Sequence, residues 1–319
     1  MDDPLSADMT TETTRARAAQ AARYQALEAW LAARLDAAAL AWLRDEARTL
    51  GEGADGLRFG LALSKASRYA KDTRALAPSV AEREALARLV PGLDPERWTL
   101  LETVRIALTL ALADLADEPG RRTVEEAFRY ADEGEARALY RSLALLPGAH
   151  RFVQRGAEGC RTNMRSVFEA TALDTPFPRD HFDDVAWRQL VIKSLFVEAP
   201  LWRLVGLDER LDADLARMAL DLREERTSAG RPIYPELYAC FGAAAGARGR
   251  AALGDALRST HAPERAAAAV ALVRAGHAGD LEAHLANESD DLVQGHGRRA
   301  LAGETDSRVF GALRADAPA

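Results

Sequence analysis

The chain has 319 residues, is 48% hydrophobic and 6% aromatic, and carries a formal net charge of −7. That length and apolar fraction suffice for one large or two ordinary domains with a buried core, and they exclude a chain disordered throughout. Acidic and basic residues are interspersed and the balance is acidic, which argues against a nucleic-acid partner.

Ala, Leu and Arg dominate and no sustained Val/Ile/Thr alternation occurs, so an all-α fold with no β-sheet is expected. Residues 1–13 are polar and turn-rich and read as a disordered N-terminus. Tyr24, Leu27, Leu31, Leu35, Leu40, Leu43 and Leu50 then recur at helical spacing, predicting one long helix or a helical hairpin over Arg15–Leu50. The glycines from Gly51 to Gly56 stop it, and a second helix follows over Leu57 to about Arg68. Asp94-Pro95-Glu96 reads as a helix start with Asp94 as N-cap, opening a buried helix over Trp98–Ala116. Its run Ile106–Ala113, bounded by Arg105 and Asp114, is too short to span a bilayer. Helices over Thr123–Ala131 and Glu135–Leu146 follow, the second closed by Pro147-Gly148.

The next helix, Phe152 to about Leu173, carries an apolar seam of Val153, Ala157, Cys160, Met164, Val167 and Thr171. Asn163 lies at its edge, near Gly156 and Gly159, where another helix or a ligand can approach closely. Glu158, Thr162, Arg165 and Glu169 form a polar face, with Arg161 adjacent; Arg165 and Glu169 suit an i, i+4 ion pair. Thr175-Pro176-Phe177-Pro178 predicts an extended corner that presents Asp180, His181, Asp183 and Asp184. These acids suit helix capping better than metal ligation, and no metal site is expected. Over Asp184–Val197 the apolar residues point nearly all round the axis, which predicts a buried helix. Gln189 and Lys193 share its one polar line. A buried lysine must be paired or deprotonated, so Lys193 either snorkels to the surface, makes a structural pair with Glu158 or Asp183, or meets an anionic or carbonyl ligand.

Asp212–Ser228 and Pro235–Phe241 read as helices and 243–249 as small-residue linker. In the tail Leu272-Val-Arg-Ala-Gly276 recurs as Arg299-Ala-Leu-Ala-Gly303, which suggests paired helices of the HEAT kind. The short helices along the chain suggest stacked hairpins, an α-solenoid, rather than a four-helix bundle. The expected division is 1–13, a helical domain over 14–243, and short C-terminal repeats over 244–319. Cys160 and Cys240 lie far apart without a CxxC partner, and no secretory pattern precedes Met1-Asp2-Asp3, so a reducing cytoplasmic setting is the expectation. Dinucleotide, P-loop, zincin and serine-hydrolase signatures are absent from the sequence, and no cofactor is expected.

Glu158-Gly-Cys-Arg161-Thr162-Asn163-Met164, Val167-Phe168-Glu169-Ala170, Ala186-Trp187 with Gln189 and Lys193, Gly206-Leu207-Asp208, and Gly230-Arg231-Pro232 before Pro235-Glu236-Leu237 resemble the EboA family over most of residues 24–242. The chain departs from that pattern at Thr175, Phe177, Asp184, Arg188 and Leu190. The resemblance implies a role in making or moving a bacterial secondary metabolite, beside prenyltransferase-like and other enzymes of a biosynthetic cluster. The expected partner is therefore that metabolite, prenylated or anionic, or an enzyme of the cluster; no transmembrane segment is expected, and peripheral membrane contact stays open. Glu158, Arg161, Asn163, Asp183, Gln189 and Lys193 are the candidate pocket residues. Two alternatives stand beside a binding role: acid/base catalysis by Lys193 or Asp183, and a purely structural scaffold.

Overall fold

The structure, a computed structural model, describes the backbone of residues 4–314 and side chains from residue 13. Among these residues every regular element is helical; the sole β-type contact is an isolated bridge between Ala75 and Thr99. The chain divides into two compact units between Phe182 and Asp183.

The first unit contains α1 (Pro4–Ala32), α2 (Ala37–Gly51), α3 (Gly56–Lys65), α4 (Val80–Leu89), α5 (Leu100–Leu110), α6 (Glu118–Tyr130), α7 (Glu133–Ser142), α8 (Val153–Arg161), α9 (Arg165–Ala172) and α10 (Phe177–His181). Of the segment 1–13, residues 1–3 lie outside the described residues and the backbone of the rest belongs to α1. The stretch 15–50 is a hairpin, because Asp36 caps α2 by accepting from the Ala39 N–H at 2.8 Å.

Helix α5 is the centre of this unit: every residue from Leu100 to Leu110 is buried, and α1, α2, α3 and α7 pack against it. Its buried acid is held by design of the helix end. Glu102 accepts from the Thr99 N–H at 2.8 Å while Thr99 Oγ1 accepts from the Glu102 N–H at 3.2 Å, a reciprocal capping box. The same carboxylate meets Arg137 at 2.7 Å and Arg141 at 3.1 Å. Buried Arg105 donates to the Leu63 carbonyl at 3.0 Å.

Several boundaries differ from the sequence expectation. Asp94 is not a helix cap; its carboxylate takes the Glu96 N–H at 3.0 Å in a local turn, and the helix waits for the stronger Thr99–Glu102 pair. It also stops at Leu110, well short of Ala116. The expected helix 152–173 is broken at 162–164, where Thr162 Oγ1 accepts from the Met164 N–H at 3.2 Å. Such side-chain-to-backbone bonds compete with the helical ladder. The proline corner is not extended: Pro176 is helical (φ −78, ψ −6) and starts α10, with Pro178 in the first turn where its missing N–H costs nothing.

The second unit contains α11 (Asp184–Phe196), α12 (Ala213–Ser228), α13 (Gly246–Ala256), α14 (Ala262–Arg274), α15 (Ala278–Leu285), α16 (Asp291–Leu301) and α17 (Ser307–Gly311), with a 3₁₀ segment Pro235–Cys240. Its buried centre is α14. Ala266 to Leu272 are all buried, and α13, α15, α16 and the 3₁₀ segment pack on it, the run of alanines permitting close approach. Asp208 ties the C-terminal helices down, pairing with Arg274 at 2.5 Å and accepting from the Ser307 N–H and hydroxyl at 3.1 Å each. The repeated pentapeptides close α14 and α16 alike: Gly276 (φ +83) and Gly303 (φ +102) turn left-handed, and His277 and Glu304 donate back to the Leu272 and Arg299 carbonyls. The expected linker 243–249 is instead a 3₁₀ turn and the start of α13. Helix α11 is one-sided rather than buried all round, since Val185 and Phe196 are 59% and 54% exposed while Trp187, Leu190, Val191 and Leu195 are buried.

Candidate functional site

The six residues chosen from the sequence fall on both sides of the division, and each set belongs to its own unit. In the first, Glu158 on α8 is exposed and pairs with Arg155 at 2.6 Å. Arg161 ends α8 and Asn163 sits in the break before α9; both are exposed, so the Asn163 amide is open to water and needs no protein partner. The glycines beside them serve helix packing: a Cβ on Gly156 would run into the Phe177 ring, and one on Gly159 would lie 2.5 Å from Tyr140 and Thr171. Arg165 and Glu169 form the i, i+4 pair, at 2.8 Å. In the second unit, Asp183 is exposed and caps α11 by accepting from the Ala186 N–H at 2.8 Å. Gln189 is exposed and Lys193 half-buried, one turn apart.

A larger concavity lies within the second unit. The turn after α12, the 3₁₀ segment, the α13–α14 junction and the residues after α17 enclose a cleft of about 860 Å³. Gly230 (φ +61) makes the turn possible, and Pro232 and Pro235 stiffen the strand of chain that carries Tyr234 across it. Two guanidinium groups lie over the Tyr234 ring, Arg226 at 4.6 Å and Arg314 at 5.5 Å from its centroid. The Tyr234 hydroxyl donates to the Glu198 carboxylate, which together with burial raises its pKa. Arg314 is anchored by the buried Glu236 carboxylate at 2.7 Å and by the Glu198 carbonyl at 2.9 Å. Burial pushes the Glu236 pKa up against the pull of Arg314.

Beneath these, Arg223, Tyr238, Glu264 and Ser259 form a connected polar wall. Arg223 Nε donates to the Tyr238 hydroxyl at 3.0 Å; that hydroxyl donates to Glu264 at 2.6 Å, and Ser259 donates to the other Glu264 oxygen at 2.6 Å. Tyr238 is fully buried, and burial, then the Glu264 charge, moves its pKa above the ordinary phenol value, so it stays a donor. Cys240, also fully buried, is pushed up to about 12 and is no thiolate nucleophile at neutral pH.

Two concavities of the first unit are smaller. One of about 670 Å³ lies between α1, α2 and the end of α5, where Arg44 pairs with Glu28 and Arg17 with Asp114. One of about 460 Å³ lies between α6 and α8; Glu158 lines it among arginines already paired with Glu118 and Glu125. Arg161, Asn163, Gln189 and Lys193 line none of these three.

None of the cleft residues Arg223, Tyr234, Tyr238, Glu264 and Arg314 stood out in the sequence. They come from three separate stretches of the chain, 223–238, 264 and 314, and the pointer present was Gly230-Arg-Pro232 followed by tyrosines at i, i+4. Among the described residues no group of three or more His, Cys, Asp or Glu is placed to hold a metal ion, and no helix is long and apolar enough to cross a membrane.

Fold and site define the class: an all-helical protein of two compact units, the second bearing an open cleft with aromatic, proline and charged walls. The chain belongs to the EboA family, described as "Metabolite traffic protein EboA", which it matches over residues 23–242, more than half of its length. No curated protein and no solved structure matches it.

Proposed function

We propose that this protein binds a small-molecule metabolite in the cleft of its second unit and hands it on within a biosynthetic route. The observation that carries the reading is the cleft itself. Its volume of about 860 Å³ suits a small molecule, and its walls combine apolar surface with a few oriented polar groups, as ligand sites do. The family description supports traffic of a metabolite. In this reading the protein is cytoplasmic and bacterial, acts in secondary metabolism as a carrier rather than a catalyst, and meets the enzymes that make or receive its cargo. The pairs α14–α15 and α16–α17 then serve as a short HEAT-like array that supplies one wall. Glu158, Arg161, Asn163, Asp183, Gln189 and Lys193 are a second proposal for contacts to the cargo or to a partner enzyme. The capping role of Asp183 leaves Lys193 as the residue on which a catalytic alternative would rest.

Mass spectrometry of small molecules that co-purify from cells expressing the natural gene neighbourhood tests this. A retained molecule that is lost from Thr227→Trp, where an exposed cleft residue is enlarged to fill the space, supports the cleft. Retention by Thr227→Trp together with loss from Asn163→Ala or Lys193→Met moves the site to the residues chosen from the sequence. Turnover of the retained molecule by the purified protein, abolished by Lys193→Met, replaces the carrier with an enzyme.

A further inference from the structure

Most charged groups in the cleft are already spent on protein partners. Arg314 is held by Glu236 and the Glu198 carbonyl, and Arg226, beside the cleft over the Tyr234 ring, donates to the Pro232 carbonyl at 2.8 Å; Arg231 is exposed and only loosely paired, 3.6 Å from Glu225, so nothing orients it. The Glu264 carboxylate takes the Tyr238 and Ser259 hydroxyls, and Glu198 takes Tyr234. Arg223 differs. It lines the cleft half-buried on α12, and its Nε is fixed by Tyr238 at 3.0 Å. Its two terminal nitrogens hold no acceptor among the described residues, and neither is a buried orphan, so both are open to water.

The anchor is unusually well built for one guanidinium. Tyr238 is 0% exposed, and its hydroxyl is clamped between Arg223 and a carboxylate that Ser259 orients from the other side. That chain holds the guanidinium through Nε, and the terminal edge keeps two N–H donors that no described residue takes. Such an edge matches two oxygens of a carboxylate or phosphate, and a pre-oriented fork loses little entropy on binding. Near it the cleft wall is apolar, formed by Ile233, Pro235, Ala256, Pro263 and Leu313.

We infer that Arg223 is the anion-recognition residue of the cleft, and that the cargo is an apolar molecule ending in a carboxylate or phosphate whose oxygens the two terminal nitrogens of Arg223 take. Tyr238, Glu264 and Ser259 are positioning residues that act through Arg223. The apolar body of the cargo lies along Ile233, Pro263 and Leu313. This inference rests on the cleft being the binding site.

Calorimetric titration of the full chain with decanoate, decyl phosphate and decanol tests it. The two anions share an oxyanion and differ in which kind, so their relative affinities say which head group the fork prefers. The wild-type protein should bind the preferred anion about tenfold or more tightly than the alcohol, as a hydrogen-bonded charge requires. Arg223→Gln should erase that preference, bringing the anions down to the affinity of decanol; Arg223→Lys, which keeps the charge but not the fork, should lose part of it. Tyr238→Phe, with Arg223 intact but unanchored, should also lose part of it. Thr227→Trp should weaken all three probes. An anion preference that survives in both Arg223→Gln and Arg223→Lys, or decanol binding as tightly as the anions, overturns the inference while a sensitive Thr227→Trp keeps the cleft. Probe binding indifferent to Thr227→Trp, or no binding of any probe, overturns the inference and the cleft together.

Discussion

Replacing Glu102 by Ala removes the carboxylate on which the centre of the first unit depends. Glu102 is 0% exposed, and it satisfies the Thr99 N–H as well as Arg137 and Arg141, whose side chains are only 19% and 13% exposed. Breaking a buried ion pair by deleting one partner costs about 3–5 kcal/mol, because the other charge stays desolvated. Arg137 keeps a fallback at 3.3 Å in Asp72, which places the expected loss near the lower end, about 3 kcal/mol, with about 1 kcal/mol of it from the lost cap. Urea unfolding followed by far-UV circular dichroism reads this as a lower midpoint at unchanged slope. The companion variant Glu102→Leu with Arg137→Met and Arg141→Met removes all three charges and should be less destabilised than Glu102→Ala. A loss below about 1 kcal/mol for Glu102→Ala, the range of an exposed pair, would mean that this carboxylate does not hold the centre of the unit together.

Other perturbations follow from the same structure. Gly159→Ala places a methyl 2.5 Å from Tyr140 and Thr171, and should cost about 1–3 kcal/mol by overpacking, measured as a shift in thermal midpoint. Two glycines of α16 and its end should move in opposite directions: Gly295→Ala, in open space within the helix, should gain about 0.4–1 kcal/mol, whereas Gly303→Ala, at φ +102, should lose about 1 kcal/mol or more. Arg34 grips Glu82 with two hydrogen bonds, at 2.9 and 2.7 Å, and holds its pKa down to about 2. Because the folded value lies below the unfolded one, the stability Glu82 contributes is full above the ordinary carboxylate range and is lost as pH falls toward 2. Thermal melts between pH 5 and 2 should therefore fall more steeply for wild type than for Arg34→Met, and parallel slopes would contradict this.

How far the sequence could be read depended on how local each cause was. Helical content, the hairpin over 15–50, the 212–228 helix and the shared closure at Gly276 and Gly303 follow from spacing and from residues at helix ends. The start at Leu100 was also written locally, in Thr99-x-x-Glu102, but Asp94-Pro95-Glu96 offered a competing start that differs only in reciprocity. The break at Thr162 turns on one hydroxyl preferring a backbone N–H to the helical ladder, which periodicity does not register. The apolar residues of α11 could not reveal that Val185 and Phe196 would stay exposed, since burial belongs to neighbours and not to the helix alone. The cleft was least legible of all. Its walls come from 198, 223–235, 255–264 and 313–314, and only the fold brings them together.

Whether the second-unit cleft holds the cargo is decided by hydrogen–deuterium exchange with and without the co-purified molecule. Slowed exchange confined to residues 223–240, 255–264 and 312–314 is the predicted result. Protection concentrated in the first unit, or none in the segments around the cleft despite saturation, would contradict it.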